Sequence, residues 1–357
     1  MTAPWLTSQP SYVTNASDLF ETVISQSHNK TCSSSDSFKF LAYTVTYCIA
    51  FPVGLLCNIA ALYVFLCLTP KKSANTVFTT NLALSDIGFS LTLPFRLVYY
   101  LRGGQWDFPD WLCRLCIFSF YLNLYTSVLF LTGLSVLRCI AVVYAVRSKS
   151  LITVRRANRA CLGIWMFVAL TSLPFLFSGI IKREGKIRCF EPSGLGSWKR
   201  ILVMNYIALT FGFLLPFFII LVCYSSIIHK LIRSKQRHKR SKKSKQRAIR
   251  LMAVILATFL LCFLPYHVVR TIHLHAMVGM NPNHPQWCKI MELLQKVLVV
   301  TLCLAAANSC FNPLLYYFSG ERFRENIRNS SRLRSRSLTS SFSNGAFQWK
   351  GKVSFSL

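Results

Sequence analysis

The sequence predicts an all-α membrane protein, a bundle of seven transmembrane helices, on three observations. Apolar residues make up 53% of the 357-residue chain and charged residues only 15%, less charge than a soluble domain of this length carries. The apolar residues gather into runs at 40–67, 75–101, 111–143, 157–181, 201–231, 248–277 and 291–318, each long enough for the about 20 residues that a bilayer requires. Basic residues recur in every second connection, the asymmetry that orients a membrane protein. Period-two alternation is absent over these lengths, which excludes a sheet. Most of the runs also lack the polar stripe of a soluble helical bundle.

Residues 1–39 precede the first run and hold no apolar core, so they do not read as a cleaved signal peptide. "NAS" at Asn15 and "NKT" at Asn29 are glycosylation acceptors if this segment lies outside the cell. Lys71 and Lys72 follow the first run, and Arg147, Lys149, Arg155, Arg156 and Arg159 follow the third. "HKLIRSKQRHKRSKKSKQRAIR" joins the fifth to the sixth, and Arg322 to Arg336 fill the tail. The side these segments share is expected to be cytoplasmic, with the N-terminus outside, in the plasma membrane. One connection departs: Lys182, Arg183, Lys186, Arg188, Lys199 and Arg200 fall between runs four and five, on the expected outer side. The net charge of +30 is read as a membrane-surface feature beside anionic lipid, not as a nucleic-acid patch.

Of the 14 cysteines, Cys32, Cys113, Cys189 and Cys288 lie in or beside outer segments. An oxidising exterior would pair them, in any of three ways. The others lie inside spans as small hydrophobes. No zinc-ligand spacing or CxxC pair appears with a supporting context, and no HExxH, GxSxG or P-loop is present, so neither an enzyme nor a cofactor protein is expected.

Few polar residues interrupt the spans. Asp86 stands in "NLALSDIGFSLTLPF", and Asn58, Asn123, Ser127, Asn308 and Asn312 stand on other runs. Asn123 and Ser127 are four apart and share a face. Two readings remain open. Asp86 and these oxygens form a shell for a small hard cation such as sodium, or they are helix–helix hydrogen bonds worth about 0.6 kcal/mol each. Arg138, near the cytoplasmic end of run three, reads as a side chain snorkelling to the interface.

The sixth run ends in "CFLPYHVVRTIHLH". Phe259, Phe263, Tyr266, Arg270 and His273 share one helix face. Pro265 bends the helix at the middle of that face. Arg96 and Tyr100 are four apart near the outer end of run two, Tyr121 and Tyr125 in run three, and Lys296 stands near the outer start of run seven. A chamber holding Arg96, Arg270 and Lys296 calls for an anion. The competing reading sends these cations to water or to Asp107, Asp110 or Glu191 in loops.

Taken in order, these motifs resemble those of the rhodopsin-like (class A) G-protein-coupled receptors, over about residues 40–329. Asn58, "LALSD", Arg138, Trp165, Pro216 and Tyr224, "CFLP", and "NPLLY" with Asn312, Pro313 and Tyr316 each fall on the matching span. "FSGERFREN" looks like the short amphipathic eighth helix, expected over 319–330, before a disordered tail at 331–357. The resemblance implies a Cys113–Cys189 bridge, a second bridge Cys32–Cys288, and an allosteric sodium ion at Asp86, Asn123, Ser127, Asn308 and Asn312. It further implies a switch built on Arg138, Tyr224, Phe259, Phe263, Pro265, Pro313 and Tyr316.

Within that class, "TLPFRLVYYLRG", "YLNLY", "CFEP", "MNYIAL" and "LAAANSCFNPLLYYFSGERF" resemble the cysteinyl leukotriene receptors. By that resemblance Arg96, Arg270 and Lys296 bind the anionic groups of the lipid. Tyr100, Tyr121, Tyr125 and Tyr266 donate hydrogen bonds, and the tail lies among aliphatic residues of spans three to five. The implied partners are cysteinyl leukotrienes, a heterotrimeric G protein acting through phospholipase C and calcium, and arrestin on the "RLRSRSLTSSFS" tail. A nucleotide (purinergic) receptor of the same branch is the alternative, and a membrane transporter the alternative of another class. Two features depart from the family. Leu137 and Cys139 replace the acid and tyrosine that flank the helix-three arginine, and Lys245 and Arg247 stand where a glutamate opens helix six. Contacts of another kind are therefore expected to hold the resting state.

Overall fold

The computed structural model describes residues 36–69, 72–177, 180–183, 185–190, 194–233, 239–279 and 287–319. Asn15, Asn29 and Cys32, nearly all of the helix expected at 319–330, and the tail lie outside the described residues.

Six helical segments among the described residues are long and apolar enough to cross a membrane. They are Ser37–Cys67, Asp110–Val143, Val154–Phe177, Gly196–Arg233, Ala248–Val278 and Trp287–Tyr317, the first, third, fourth, fifth, sixth and seventh spans. The second predicted run forms two shorter helices, Ala74–Ser90 and Leu93–Leu101. Together they give the seven-span helical bundle.

Prolines decide where the spans break or widen. A proline donates no N–H and crowds the carbonyl four residues back. Pro94 sits in the first turn after the break at Leu91–Thr92, and the Thr92 hydroxyl donates to the Phe89 carbonyl at 2.8 Å. In the fifth and sixth spans the answer is a π-helical turn, Thr210–Leu214 before Pro216 and Phe259–Phe263 before Pro265. The residue preceding each proline reaches back five positions, Leu215 N to Thr210 O and Leu264 N to Phe259 O. At Pro265, where the sequence reading places a bend, the regular α-helix is interrupted by an inserted π turn. In the seventh span the helix is interrupted at Ala307, between Trp287–Ala306 and Asn308–Ser319. Pro313 leaves the Ser309 carbonyl without its helical donor, and the Asn58 side chain of the first span supplies one at 2.9 Å.

The third span is the hub and packs on the second, fourth, fifth, sixth and seventh. Side-chain hydrogen bonds tie the others in. Trp165 of the fourth span donates to Asn81 of the second at 2.9 Å. Ser85 and Thr126 link the second and third at 2.6 Å. Gly54 lets the first span close on Ser90 and Ser309, whose hydroxyls stand 2.9 and 3.1 Å from where its Cβ would be. Helices start on side-chain caps where the chain re-enters the bundle, Ser73 accepting from Thr76 N and Thr153 from Arg156 N.

A two-stranded hairpin, Ile181–Arg183 with Lys186–Arg188, follows the fourth span. Its turn uses Gly185 at φ 72°, a backbone region that favours glycine. Cys189 follows directly and is bridged to Cys113 at the start of the third span, the pairing the resemblance implied. Cys288 is also disulfide-bonded, while Cys32 lies outside the described residues. The hairpin is pinned to the loop after the second span by Trp106 N to Ile187 O at 2.8 Å and Ile187 N to Gln105 Oε1 at 3.2 Å. An Arg102–Asp107 ion pair closes that loop and holds the Asp107 carboxyl below the usual carboxylate range.

Asn58 carries three of these ties, to Gly54 O, to Ser309 O and from Tyr316 Oη. At about 0.6 kcal/mol per membrane hydrogen bond, Asn58→Ala is expected to cost about 2 kcal/mol. The check is the thermal midpoint of the detergent-solubilised protein, which should fall. An unchanged midpoint would show that Ser309 O finds another donor.

Candidate ligand-binding site

A cavity of about 260 Å³ lies between the third, fourth, fifth and sixth spans. Tyr121 and Tyr125 face it from the third span, and Tyr266 and Arg270 from the sixth. The four-residue spacings read in the sequence put each pair on one face. Most of the rest of the lining is apolar, with Leu170 from the fourth span and Met204 and Ile207 from the fifth among its residues, and Thr171, Ser172 and Asn205 add polar groups. Four lining residues, Phe167, Leu170, Ile207 and Phe211, are also roughly half exposed on the outer surface of the bundle. The cavity therefore opens sideways, between the fourth and fifth spans, toward the lipid.

Two features that shape the cavity were not visible in the sequence. Phe175, in the 3₁₀ turn that ends the fourth span, stacks on Tyr121 at 3.7 Å and 11°. Gly212, inside the π turn of the fifth span, lets the Tyr125 ring rest on bare backbone, because a Cβ there would stand 2.7 Å from a ring carbon. Neither follows from spacing, since each is a contact between distant segments. His267 likewise carries no signal in the sequence pattern. It is fully buried, its ring stacks on Phe213 at 4.8 Å, and neither ring nitrogen finds a partner among the described residues.

The cations separate. Arg270 lines the cavity and has no hydrogen-bond or carboxylate partner among the described residues. Arg96 is buried elsewhere, donating to the Cys116 carbonyl, with its guanidinium 5.4 Å from the Phe120 ring and 4.6 Å from the Phe190 ring. Phe190 holds φ at 69°, an outlier for an aromatic residue. That turn, one residue after the disulfide, brings its ring over Arg96. Tyr100 stacks on Tyr43 at 4.6 Å and belongs to this second, aromatic cluster, away from the cavity lining. Lys296 pairs with Glu292 one turn away at 2.8 Å, and both are exposed. The acid that answers it stands on the same helix, not in a loop.

Deeper in the bundle, Asp86 is fully buried and accepts from Asn123 at 2.9 Å and Asn312 at 2.8 Å. Asn312 also donates to Asn308 Oδ1 at 3.4 Å. Ser127 Oγ and Asn312 Oδ1 are buried with no partner among the described residues. One carboxylate with orphaned neutral oxygens is a donor set that fits a small hard cation.

The residues to which the resemblance assigns a switch form two sets. Phe259 and Phe263 are fully buried, edge to face at 5.4 Å, and Phe259 stacks with Phe213 and Phe217 of the fifth span. At the far end, Tyr224 shares a hydrogen bond with Ser135 at 3.1 Å and Tyr316 donates to Asn58 at 3.3 Å. Arg138 is half-buried there.

Residues 57–316 match the 7 transmembrane receptor (rhodopsin family) pattern. The chain is 42% identical to cysteinyl leukotriene receptor 1 of Cavia porcellus over 315 residues, covering 87% of this chain and 90% of that protein. It is 41% identical to cysteinyl leukotriene receptor 2 of Mus musculus over 302 residues, covering 84% and 94%. Lysophosphatidic acid receptor 6 of Homo sapiens is 33% identical over 302 residues, covering 83% and 86%.

Overpacking a filled contact costs about 1–3 kcal/mol. Gly212→Val is expected to destabilise the solubilised protein by about that much, and much less when Tyr125→Ala is already present. Equal losses in both backgrounds, read from thermal midpoints, would mean that the Tyr125 ring does not rest on Gly212.

Proposed function

The chain belongs to the rhodopsin family of seven-transmembrane receptors, and from that membership we propose that it is a receptor for cysteinyl leukotrienes, anionic lipid mediators. It signals from the plasma membrane through a heterotrimeric G protein, to phospholipase C and calcium release. It acts as a receptor, not as an enzyme. Its N-terminus lies outside the cell and its C-terminus inside, where arrestin also binds.

One observation carries this proposal. The cavity is a largely apolar slot open to the lipid side, and among the described residues its one charged lining group is the half-buried Arg270, which has no carboxylate partner there and is set among Tyr121, Tyr125 and Tyr266. A cation held away from water without a partner is unfavourable, and an amphipathic anion relieves it while its hydrocarbon tail fills the apolar part. A lipid already dissolved in the bilayer can enter between the fourth and fifth spans without crossing water. A nucleotide suits the slot less well, because several phosphates would meet one cation and an apolar wall. The identity to leukotriene receptors, over most of each chain, points the same way.

Signalling follows as a population shift. The anion binds Arg270 and Tyr266 on the outer half of the sixth span. Phe259 and Phe263 repack against Phe213 and Phe217, and the π turn before Pro265 takes up the bend. The cytoplasmic end of the sixth span then moves away from the third. Tyr224 and Tyr316 leave Ser135 and Asn58 and, with Arg138, complete the surface for the G protein. Turning a 1:99 equilibrium to 99:1 takes about 5.5 kcal/mol of differential binding. Asp86, Asn123, Ser127, Asn308 and Asn312 would hold sodium in the resting state. The ion supplies positive charge to the buried carboxylate and joins the second, third and seventh spans.

Calcium release in cells expressing the chain is expected in response to leukotrienes and not to nucleotides; a response to nucleotides alone reverses the ligand assignment. A charged hydrogen bond is worth about 1.5–3 kcal/mol, so Arg270→Gln is expected to raise the half-maximal leukotriene concentration by roughly 10–100-fold at equal surface expression. Lys296→Gln, which breaks only an exposed pair, is expected to shift it less than about fivefold. Sodium should raise the thermal midpoint of the unaltered protein relative to an equal concentration of choline, and should do nothing to Asp86→Asn. An equal response of the two proteins would remove Asp86 from the ion site.

A further inference from the structure

A second hollow, of about 320 Å³, lies at the opposite end of the bundle, between the third and fourth spans. Small residues make it. Gly133 of the third span and Ala157 and Ala160 of the fourth leave the two helices with little side-chain volume between them. Phe78 closes the floor and fits only because Gly133 has no Cβ, since one would collide with the Phe78 ring. Leu137 and Ile164 form walls, and Ile152 of the connecting segment caps the end. Leu137 stands where the resembling family carries an acid, so this wall is apolar where a charge was expected. The volume is about ten times that of a water in the liquid, and apolar cavities stay dry.

One charge borders the hollow. Arg156 lies at its rim, with Nη1 donating to the Ser150 and Leu151 carbonyls at 2.9 and 3.3 Å. Among the described residues no carboxylate pairs with it. Residues 111–183 contain no aspartate or glutamate at all, while Arg147, Arg155 and Arg159 add positive charge around it. From Val154 at the helix start to Ile164 at the inner end of the hollow is about 15 Å at 1.5 Å per residue, half of a hydrocarbon core about 30 Å thick. The hollow therefore matches one leaflet in depth, with its cation at the headgroup end.

We propose that this groove is a binding site for an anionic phospholipid of the cytoplasmic leaflet, with one acyl chain between the third and fourth spans and its phosphate on Arg156. Charge and depth argue for this occupant. That leaflet is the one rich in anionic headgroups, and a zwitterionic lipid would leave Arg156 without a net counter-charge. The site lies along the same spans as the leukotriene cavity, toward their cytoplasmic ends, and does not depend on that ligand assignment.

The test uses the full chain in phosphatidylcholine nanodiscs that carry a minority of phosphatidylserine with a photoreactive group on its acyl chain. Illumination is expected to give adducts within 132–137 and 157–164, several-fold more than the same acyl probe on phosphatidylcholine. Ala160→Trp, which fills the groove, and Arg156→Gln should each cut that labelling several-fold. Equal labelling by the two headgroups, or labelling that survives Ala160→Trp, overturns the site. So does stronger labelling of the same peptides by a photoreactive sterol, which would assign the groove to that lipid instead. The headgroup comparison needs no substitution, so it stands even if a variant fails to fold.

Discussion

A carbonyl that loses its helical donor inside hydrocarbon cannot turn to water, and an unsatisfied one costs several kcal/mol. This constraint organises the bundle, because prolines release carbonyls in several of its spans. The answers differ between spans. The fifth and sixth insert a π turn before their prolines, and the seventh takes a donor from the first through Asn58. The answers are also the functional geometry. The π turn of the fifth span presents Gly212 to Tyr125, that of the sixth holds Phe259 and Phe263, and the tie from Asn58 fixes Tyr316.

Charge obeys the same logic with fewer options. Arg96 is buried against two aromatic rings and a backbone carbonyl, so cation–π contact, at roughly 2 kcal/mol when desolvated, stands in for an ion pair. Lys296 avoids the problem by pairing with Glu292 near the surface. Arg270 has neither solution among the described residues. It is left at the edge of a cavity, where an anion that neutralises a cation gains more than in water.

The seven spans and the motifs they carry were legible in the sequence because each depends on residues close together along the chain; the break in the second span and the interruption at Ala307 were not. Tyr121 with Tyr125 and Tyr266 with Arg270 were legible for the same reason, since helical spacing alone puts each pair on one face. The assembly of those faces was not. Nothing local announces that Phe190 takes a left-handed turn to cover Arg96, that Phe175 returns onto Tyr121, or that Gly212 is bare because Tyr125 needs the space. The acid beside Lys296 is local: Glu292 is four residues away on the same helix, within reach by ordinary i, i+4 geometry.

The distribution of polar ties suggests which span is free to move. The first and seventh are tied through Asn58, the second and third through Asp86 and Ser85, the second and fourth through Trp165, and the third and fifth through Ser135 and Tyr224. The sixth is tied to the fifth near its disulfide end, by Asn205 to Thr271 at 2.9 Å and by Tyr206 to His275. From Ala248 to Phe263 the described side chains make no hydrogen bond to another span; Thr258 bonds within its own helix, to Val254 O. That half is held by apolar packing, which is non-directional and can be re-formed after a shift, whereas a broken buried hydrogen bond leaves an orphaned group. A lever anchored at one end by polar bonds and held at the other by packing alone moves at the packed end. The π turn before Pro265 lies between the two.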